Sequence, residues 1–203
     1  MRFDAILFDF DGVLADTERV HHACWNRILK PFGIQIEWPV YLRECVGVSD
    51  RLMIQRLASE RIPPIAFEEV WAEYPRKLEI FHQYLTATPP FLSETLDLVR
   101  ELGAGYALAV VSSSARPEVE PPLEQAGILP CFRALVCGRE VAELKPSPAP
   151  YLRAAELLGA RRPLVVEDSD AGEASGRAAG FEVVRVSSAE EVAREVRRAL
   201  AER

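Results

Sequence analysis

Lysine is scarce in this chain: Lys30, Lys77 and Lys145 are the only lysines among 24 basic residues, the other 21 being arginine. Each of the three therefore raises the question of what a compact ammonium does there that a planar guanidinium would not. Cysteine is rare too. Cys24, Cys45, Cys131 and Cys137 form neither a C-x-x-C pair nor a zinc spacing, which excludes a disulfide framework and fits a reducing cytoplasm. No apolar run is long enough to span a bilayer, and Asp4, Asp9 and Asp11 interrupt any signal-peptide core, so no membrane association is expected. An excess of basic charge is also missing: the net charge of -7 gives no field to hold a nucleic acid backbone. A small charged metabolite is the expected partner, and a monomer the expected state.

What is present suits a folded α/β protein. With 203 residues, 49% of them hydrophobic and 27% charged, the chain can bury a sizeable core. Short apolar, β-branched runs at Ala5–Phe10, Tyr106–Val111, Ala134–Cys137, Pro163–Val166 and Glu182–Val186 predict five buried strands. Helical periodicity over Leu92–Leu102, Arg116–Ala126, Ala149–Leu158 and Gly172–Ala179 alternates with the later strands, and an amphipathic helix over Ala189–Ala201 closes the chain. This is the pattern of a doubly wound parallel sheet. Nearly a hundred residues separate the first two strands, and they read as helices over Thr17–Lys30, Asp50–Arg61 and Phe67–Leu85, with Pro75 kinking or dividing the last. A small α-helical domain at residues 16–88, inserted after the first strand, and a sheet domain from residues 1–15 and 89–203 are expected.

Chemistry-bearing residues cluster where strands end. Asp9 and Asp11 follow the apolar run of the first strand, where alternation turns both towards one side and Gly12 lets the backbone leave. In an open parallel sheet ligands bind beyond the carboxyl ends of the strands, so the pair suggests a site, although a solvated turn would also hold two acids. The second strand runs into Ser112, Ser113 and Ser114, which fit a helix cap as well as a phosphate cradle. Lys145 precedes Pro146, which keeps it in a loop and presents its ammonium from a fixed place. Glu167, Asp168 and Asp170 crowd the end of the fourth strand, and acids so close repel one another unless a cation with a preference for hard oxygen ligands, such as magnesium, lies between them.

Together Asp9-Phe10-Asp11-Gly12-Val13, Ser112 after Val110-Val111, Lys145-Pro146 and Glu167-Asp168 resemble, in order, the four motifs of the haloacid dehalogenase superfamily. With its helical insertion the chain looks like the subgroup containing β-phosphoglucomutase and small sugar-phosphate phosphatases. The resemblance implies Asp9 as the nucleophile that forms an aspartyl-phosphate and Asp11 as the general acid and base. It implies Ser112 and the Ser113 backbone N–H as phosphoryl contacts and Lys145 as the neutralising charge. Magnesium would be held by Asp9, the Asp11 carbonyl, Asp168 and Glu167, the last directly or through water.

In the insertion, Asp16-Thr17-Glu18 with His21 resembles the start of the β-phosphoglucomutase cap, which makes Thr17 and His21 expected substrate contacts together with Arg51 and Lys77. Two departures count against the mutase: Asp50 stands where it has an arginine, with Arg51 displaced by one, and Leu78 stands where it has an asparagine. A phosphatase acting on a small phosphorylated metabolite, such as a sugar phosphate, is therefore the expected activity, with phosphomutase as the enzymatic alternative. Asp11 argues against dehalogenase and phosphonate hydrolase chemistry, whose enzymes lack that acid. A receiver-type phospho-accepting switch shares a strand-end aspartate, a hydroxyl and a lysine, but has no use for a helical roof.

Overall fold

A computed structural model describes residues 2–138 and 140–201. Five strands, β1 (Ala5–Phe8), β2 (Ala107–Val111), β3 (Phe132–Val136), β4 (Pro163–Glu167) and β5 (Glu182–Arg185), form one sheet in the order β3-β2-β1-β4-β5. Every neighbouring pair is parallel. Alternation along the strands feeds two cores. Ile6, Phe8, Leu108, Val110 and Val166 join the apolar cluster on one face, while Leu7, Ala109, Val111 and Val165 join the cluster on the other. Helices α6 (Ser93–Gly103), α7 (Arg116–Gln125) and α10 (Val192–Ala201) supply the first face through residues such as Leu98, Val119, Leu123 and Val196. On the second face lie α8 (Ala149–Leu158), with Tyr151 and Ala154, and α9 (Asp170–Ala178). The expected doubly wound parallel sheet is therefore the observed architecture.

The segment after β1 is helical throughout, carrying α1 (Glu18–Leu29), α2 (Trp38–Glu44), α3 (Asp50–Ser59), α4 (Phe67–Trp71) and α5 (Tyr74–Ala87). These helices bury a cluster of their own, built on Trp25, Leu29, Ile54, Val70 and Phe81. The expected long helix over Phe67–Leu85 is two helices, because Pro75 occupies the first turn of α5, where a missing N–H costs nothing, and the chain breaks just before it. Helix α2 was not expected. It has only seven residues, with Pro39 in its first turn, and so short a run leaves almost no periodic signal.

Two strand ends differ from the sequence reading by two residues, the others by one at most. β1 stops at Phe8 rather than Phe10, because Leu14 and Ala15 donate back to the Phe10 carbonyl and wrap the chain into a turn through Gly12, at φ +77°. β3 begins at Phe132, two residues earlier than the apolar run suggested. Among the described residues no helix is long and apolar enough to cross a membrane.

Candidate active site

The sheet order places β1 in the centre with β2 and β4 beside it, so the crevice where the strand order reverses opens beyond the carboxyl ends of these three. A cavity there lies between sheet and helical insertion. The sheet side contributes Asp9, Asp11, Ser113, Ser114, Lys145, Asp168 and Ser169, and the insertion Glu18, His21, Tyr41, Cys45, Gly47, Val48 and Asp50.

Two carboxylates two residues apart have opposite surroundings. The Lys145 ammonium donates to Asp9 Oδ1 at 2.5 Å, to Glu167 Oε1 at 2.6 Å and to the Val111 carbonyl at 2.8 Å. Burial, reinforced by repulsion from Glu167, Asp168 and Asp11, nevertheless holds the Asp9 carboxyl well above its usual range. Asp11 instead sits in a ring of donors. Its Oδ1 accepts from Thr17 Oγ1 at 2.5 Å and lies 3.2 Å from His21 Nε2, while Oδ2 accepts from Ser114 at 2.7 Å and Ser112 at 3.3 Å. Burial opposes ionisation here too, but these hydrogen bonds prevail and hold the Asp11 carboxyl low.

Behind His21 lies an ion-pair knot joining the insertion to the sheet domain. Lys77 on α5 is fully buried and donates to Asp50 at 2.8 Å, to Glu118 on α7, and to His21 Nδ1 at 2.8 Å. An ammonium only donates, so Nδ1 accepts from Lys77 and Nε2 carries the proton that points at Asp11; burial and Lys77 lower the proton affinity of the imidazole, but Asp11 outweighs them and holds it above its usual range. Glu118 also accepts from the Ala115 N–H at the start of α7. His82 adds a second link across the boundary, to the Pro117 carbonyl at 2.7 Å.

Glu167 is saturated. Its Oε1 accepts from Lys145 and from the Tyr151 hydroxyl at 2.7 Å, and its Oε2 accepts from the backbone N–H of Asp168 and Ser169 and from Ser169 Oγ. The first turn of α9 presses on this carboxylate, and a Cβ at Gly172 would collide with it. Position 172 has room for no second acid because Glu167 fills that space.

One carboxylate oxygen each from Asp9, Glu167 and Asp168 lies within 4.8 Å of the others. Burial and the adjacent Glu167 push the Asp168 carboxyl up to about 7. A buried group of hard oxygens short of positive charge fits a small divalent cation, so these residues could bind one. Asp170 does not take part: it points into solvent and pairs with Arg185 at 3.2 Å.

Of the residues singled out in the sequence, Asp9, Asp11, Lys145, Asp168, Ser113 and His21 line the cavity. Ser112, Thr17, Glu167 and Lys77 stand directly behind its wall. Arg51 faces a neighbouring cavity, its guanidinium stacked 4.6 Å above the Phe67 ring and 5.8 Å above that of Trp71. The capping alternative for the three serines falls away, since α7 is entered at Ala115 and the hydroxyls of Ser112 and Ser114 turn to Asp11. Sequence reasoning missed Tyr151, Glu118, Ser169 and the cavity-facing Glu18 and Tyr41. Only Ser169 carried a local signal, as the N-cap of α9, where its Oγ accepts from the Gly172 N–H.

Sheet order, inserted helices and strand-end carboxylates define a hydrolase class that the sequence confirms: the haloacid dehalogenase-like hydrolase profile matches residues 6–186, and the chain belongs to that family. The protein CbbY of Rhodobacter capsulatus is 32% identical over 199 residues, covering 93% of this chain and 87% of its own. A phosphoglycolate phosphatase of Aquifex aeolicus is 29% identical, covering 86% of this chain and 80% of its own. Among solved structures, CbbY from Rhodobacter sphaeroides in complex with phosphate superposes with a TM-score of 0.79 at 28% identity, covering 90% of this chain and 85% of its own.

Proposed function

We propose that this protein is a magnesium-dependent phosphatase that hydrolyses a small phosphorylated metabolite through an aspartyl-phosphate at Asp9. The observation that carries the reading is the separation of Asp9 from Asp11: one carboxylate faces the only ammonium that lines the cavity among the described residues, the other is surrounded by groups that trade protons and hydrogen bonds. Two carboxyl groups with contrasting environments are how one site divides nucleophilic from acid–base work. A relative named as a phosphoglycolate phosphatase and a CbbY structure holding phosphate support the same chemistry.

Asp9 attacks the phosphorus as its carboxylate, the form favoured by the Lys145 ammonium and by a cation held among Asp9, Glu167 and Asp168, and Lys145 offsets the charge on both the attacking and the transferred oxygens. Asp11 is ionised at rest. A phosphate dianion brought beside it raises its proton affinity by like-charge repulsion, so that Asp11 takes up a proton from solvent as the substrate binds, gives it to the leaving oxygen and, once the alcohol has gone, takes a proton from the attacking water. Thr17 and His21 fix the Asp11 carboxylate, and Ser112 with the Ser113 backbone N–H positions the phosphoryl group. Magnesium would be held by Asp9, Asp168 and the Asp11 carbonyl, and when bound it supplies charge neutralisation between the acids and the phosphate. Glu167 serves this group chiefly by holding Lys145 and the β4–α9 turn.

Release of inorganic phosphate from a panel of sugar and other small monophosphates, with and without magnesium, tests the reading. Return of labelled phosphate to the sugar instead would show a phosphomutase. Absence of turnover combined with stable phosphorylation would fit a receiver-type switch.

A further inference from the structure

The insertion presents acid and no available cation to the part of the substrate that leaves. Glu18 and Asp50 both line the cavity, and Tyr41, whose hydroxyl donates to Glu18 at 2.9 Å, stands with them. Lys77 is shared between two carboxylates, Asp50 and Glu118, and both ring nitrogens of His21 are taken up by that ammonium and by Asp11. On the insertion side Glu18 and Asp50 therefore face the cavity with only Lys77 beside them, and that ammonium is shared with Glu118 on α7. Among the described residues, the guanidinium groups of the insertion near the cavity are committed elsewhere. Arg19 lies on the Trp38 ring, Arg56 pairs with Glu44, and Arg51 stacks on Phe67 and Trp71 in the adjoining cavity. Burial and the proximity of Asp11 push the Glu18 carboxyl up to about 7; even in its neutral form it offers a polar group but no positive charge.

Resting on the phosphatase reading, we infer that Glu18 and Asp50 select a phosphomonoester whose leaving alcohol carries an ammonium or hydroxyl donors and no second anion. A carboxylate or second phosphate next to the ester would be desolvated against two acids with no free counter-ion among the described residues, whereas an ammonium would find both acids. Discrimination then comes from repulsion of the wrong charge as much as from attraction of the right one.

Three two-carbon esters of nearly equal size separate the possibilities: phosphoethanolamine, hydroxyethyl phosphate and phosphoglycolate, whose free ends carry positive, neutral and negative charge. Their kcat/KM values, or for any that is not turned over its competitive inhibition of p-nitrophenyl phosphate hydrolysis, should fall in that order. The ammonium ester should exceed the carboxylate ester by about tenfold or more at moderate ionic strength. Glu18→Gln can keep the hydrogen bond from Tyr41 and should narrow that ratio severalfold. Best performance by phosphoglycolate, or an unchanged ratio in Glu18→Gln, overturns the inference and leaves the phosphatase reading standing. So does a preference for the carboxylate ester that Arg51→Ala removes, which would put the recognition of the leaving group in the adjoining cavity. Inertness towards all four esters with magnesium present overturns the phosphatase reading itself, and the inference with it.

Discussion

Asp11→Asn separates the two half-reactions. The asparagine amide has the same shape as the carboxylate it replaces, and its oxygen can still accept from Thr17 and His21. Its NH2 then faces the hydroxyls of Ser112 and Ser114, which can rotate from donating to accepting. Every hydrogen bond can be remade, so the stability cost should stay near 1 kcal/mol. Loss of general acid–base catalysis costs far more, a factor of about 10² to 10⁴ in rate, or roughly 3–5 kcal/mol of barrier. A sugar alkoxide needs its proton to leave, whereas nitrophenolate leaves without one. With p-nitrophenyl phosphate the variant should therefore release a burst of nitrophenol approaching one equivalent, then turn over slowly because water is no longer activated against the aspartyl-phosphate. With a sugar phosphate even the burst should be slowed. Rapid-mixing absorbance reads the burst, and thermal denaturation checks that the fold is intact. Parent-like steady-state rates with both substrates would remove Asp11 from its assigned role.

Other perturbations probe the rest of the site. Lys145→Arg keeps the charge but places a planar fork where one ammonium meets Asp9, Glu167 and the Val111 carbonyl; we expect a loss of about 100-fold or more in kcat/KM, and near-normal turnover would place Lys145 outside the chemistry. Gly172→Ala drives a methyl group into a Glu167 carboxylate pinned by five hydrogen bonds. It should cost about 1–3 kcal/mol, seen as a fall in Tm of roughly 2–4 °C per kcal/mol, and an unchanged Tm would show that the carboxylate can swing aside. Chelation should abolish phosphate release and magnesium restore it, while calcium, with its larger and looser shell, should inhibit; full activity after exhaustive chelation would contradict the acidic cluster's assigned function.

Most of the sheet domain was legible because its signals are local. Alternation in Ile6-Leu7-Phe8 sends successive side chains to opposite cores, and that two-residue period is written in the sequence itself. The strand-end motifs were legible for the same reason: Asp9, Asp11, Ser112 and Asp168 each follow an apolar run, and Lys145 precedes a proline that keeps it in a loop. What escaped notice depends on contacts between distant segments. Nothing near Glu118 marks it as the partner of Lys77, 41 residues away, and Tyr151 reads as an ordinary core residue of α8 until its hydroxyl is found on Glu167. Glu18 and Asp50 look like first-turn acids that complement helix dipoles. Only the docking of the insertion over the sheet turns them towards the cavity. Lys77 was singled out because lysine is rare here, but the sequence could not say that all its donors would be spent on Asp50, Glu118 and His21.

The central claim, a covalent phospho-enzyme at Asp9, is tested most directly by intact-mass analysis of Asp11→Asn protein quenched within the burst after mixing with p-nitrophenyl phosphate and magnesium. The account predicts a species heavier by one phosphoryl group that is labile to hydroxylamine, maps to the peptide containing Asp9, and is absent from the Asp9→Asn, Asp11→Asn double variant. A nitrophenol burst with no mass increment, or a phosphoryl group that persists when Asp9 is replaced, would contradict it.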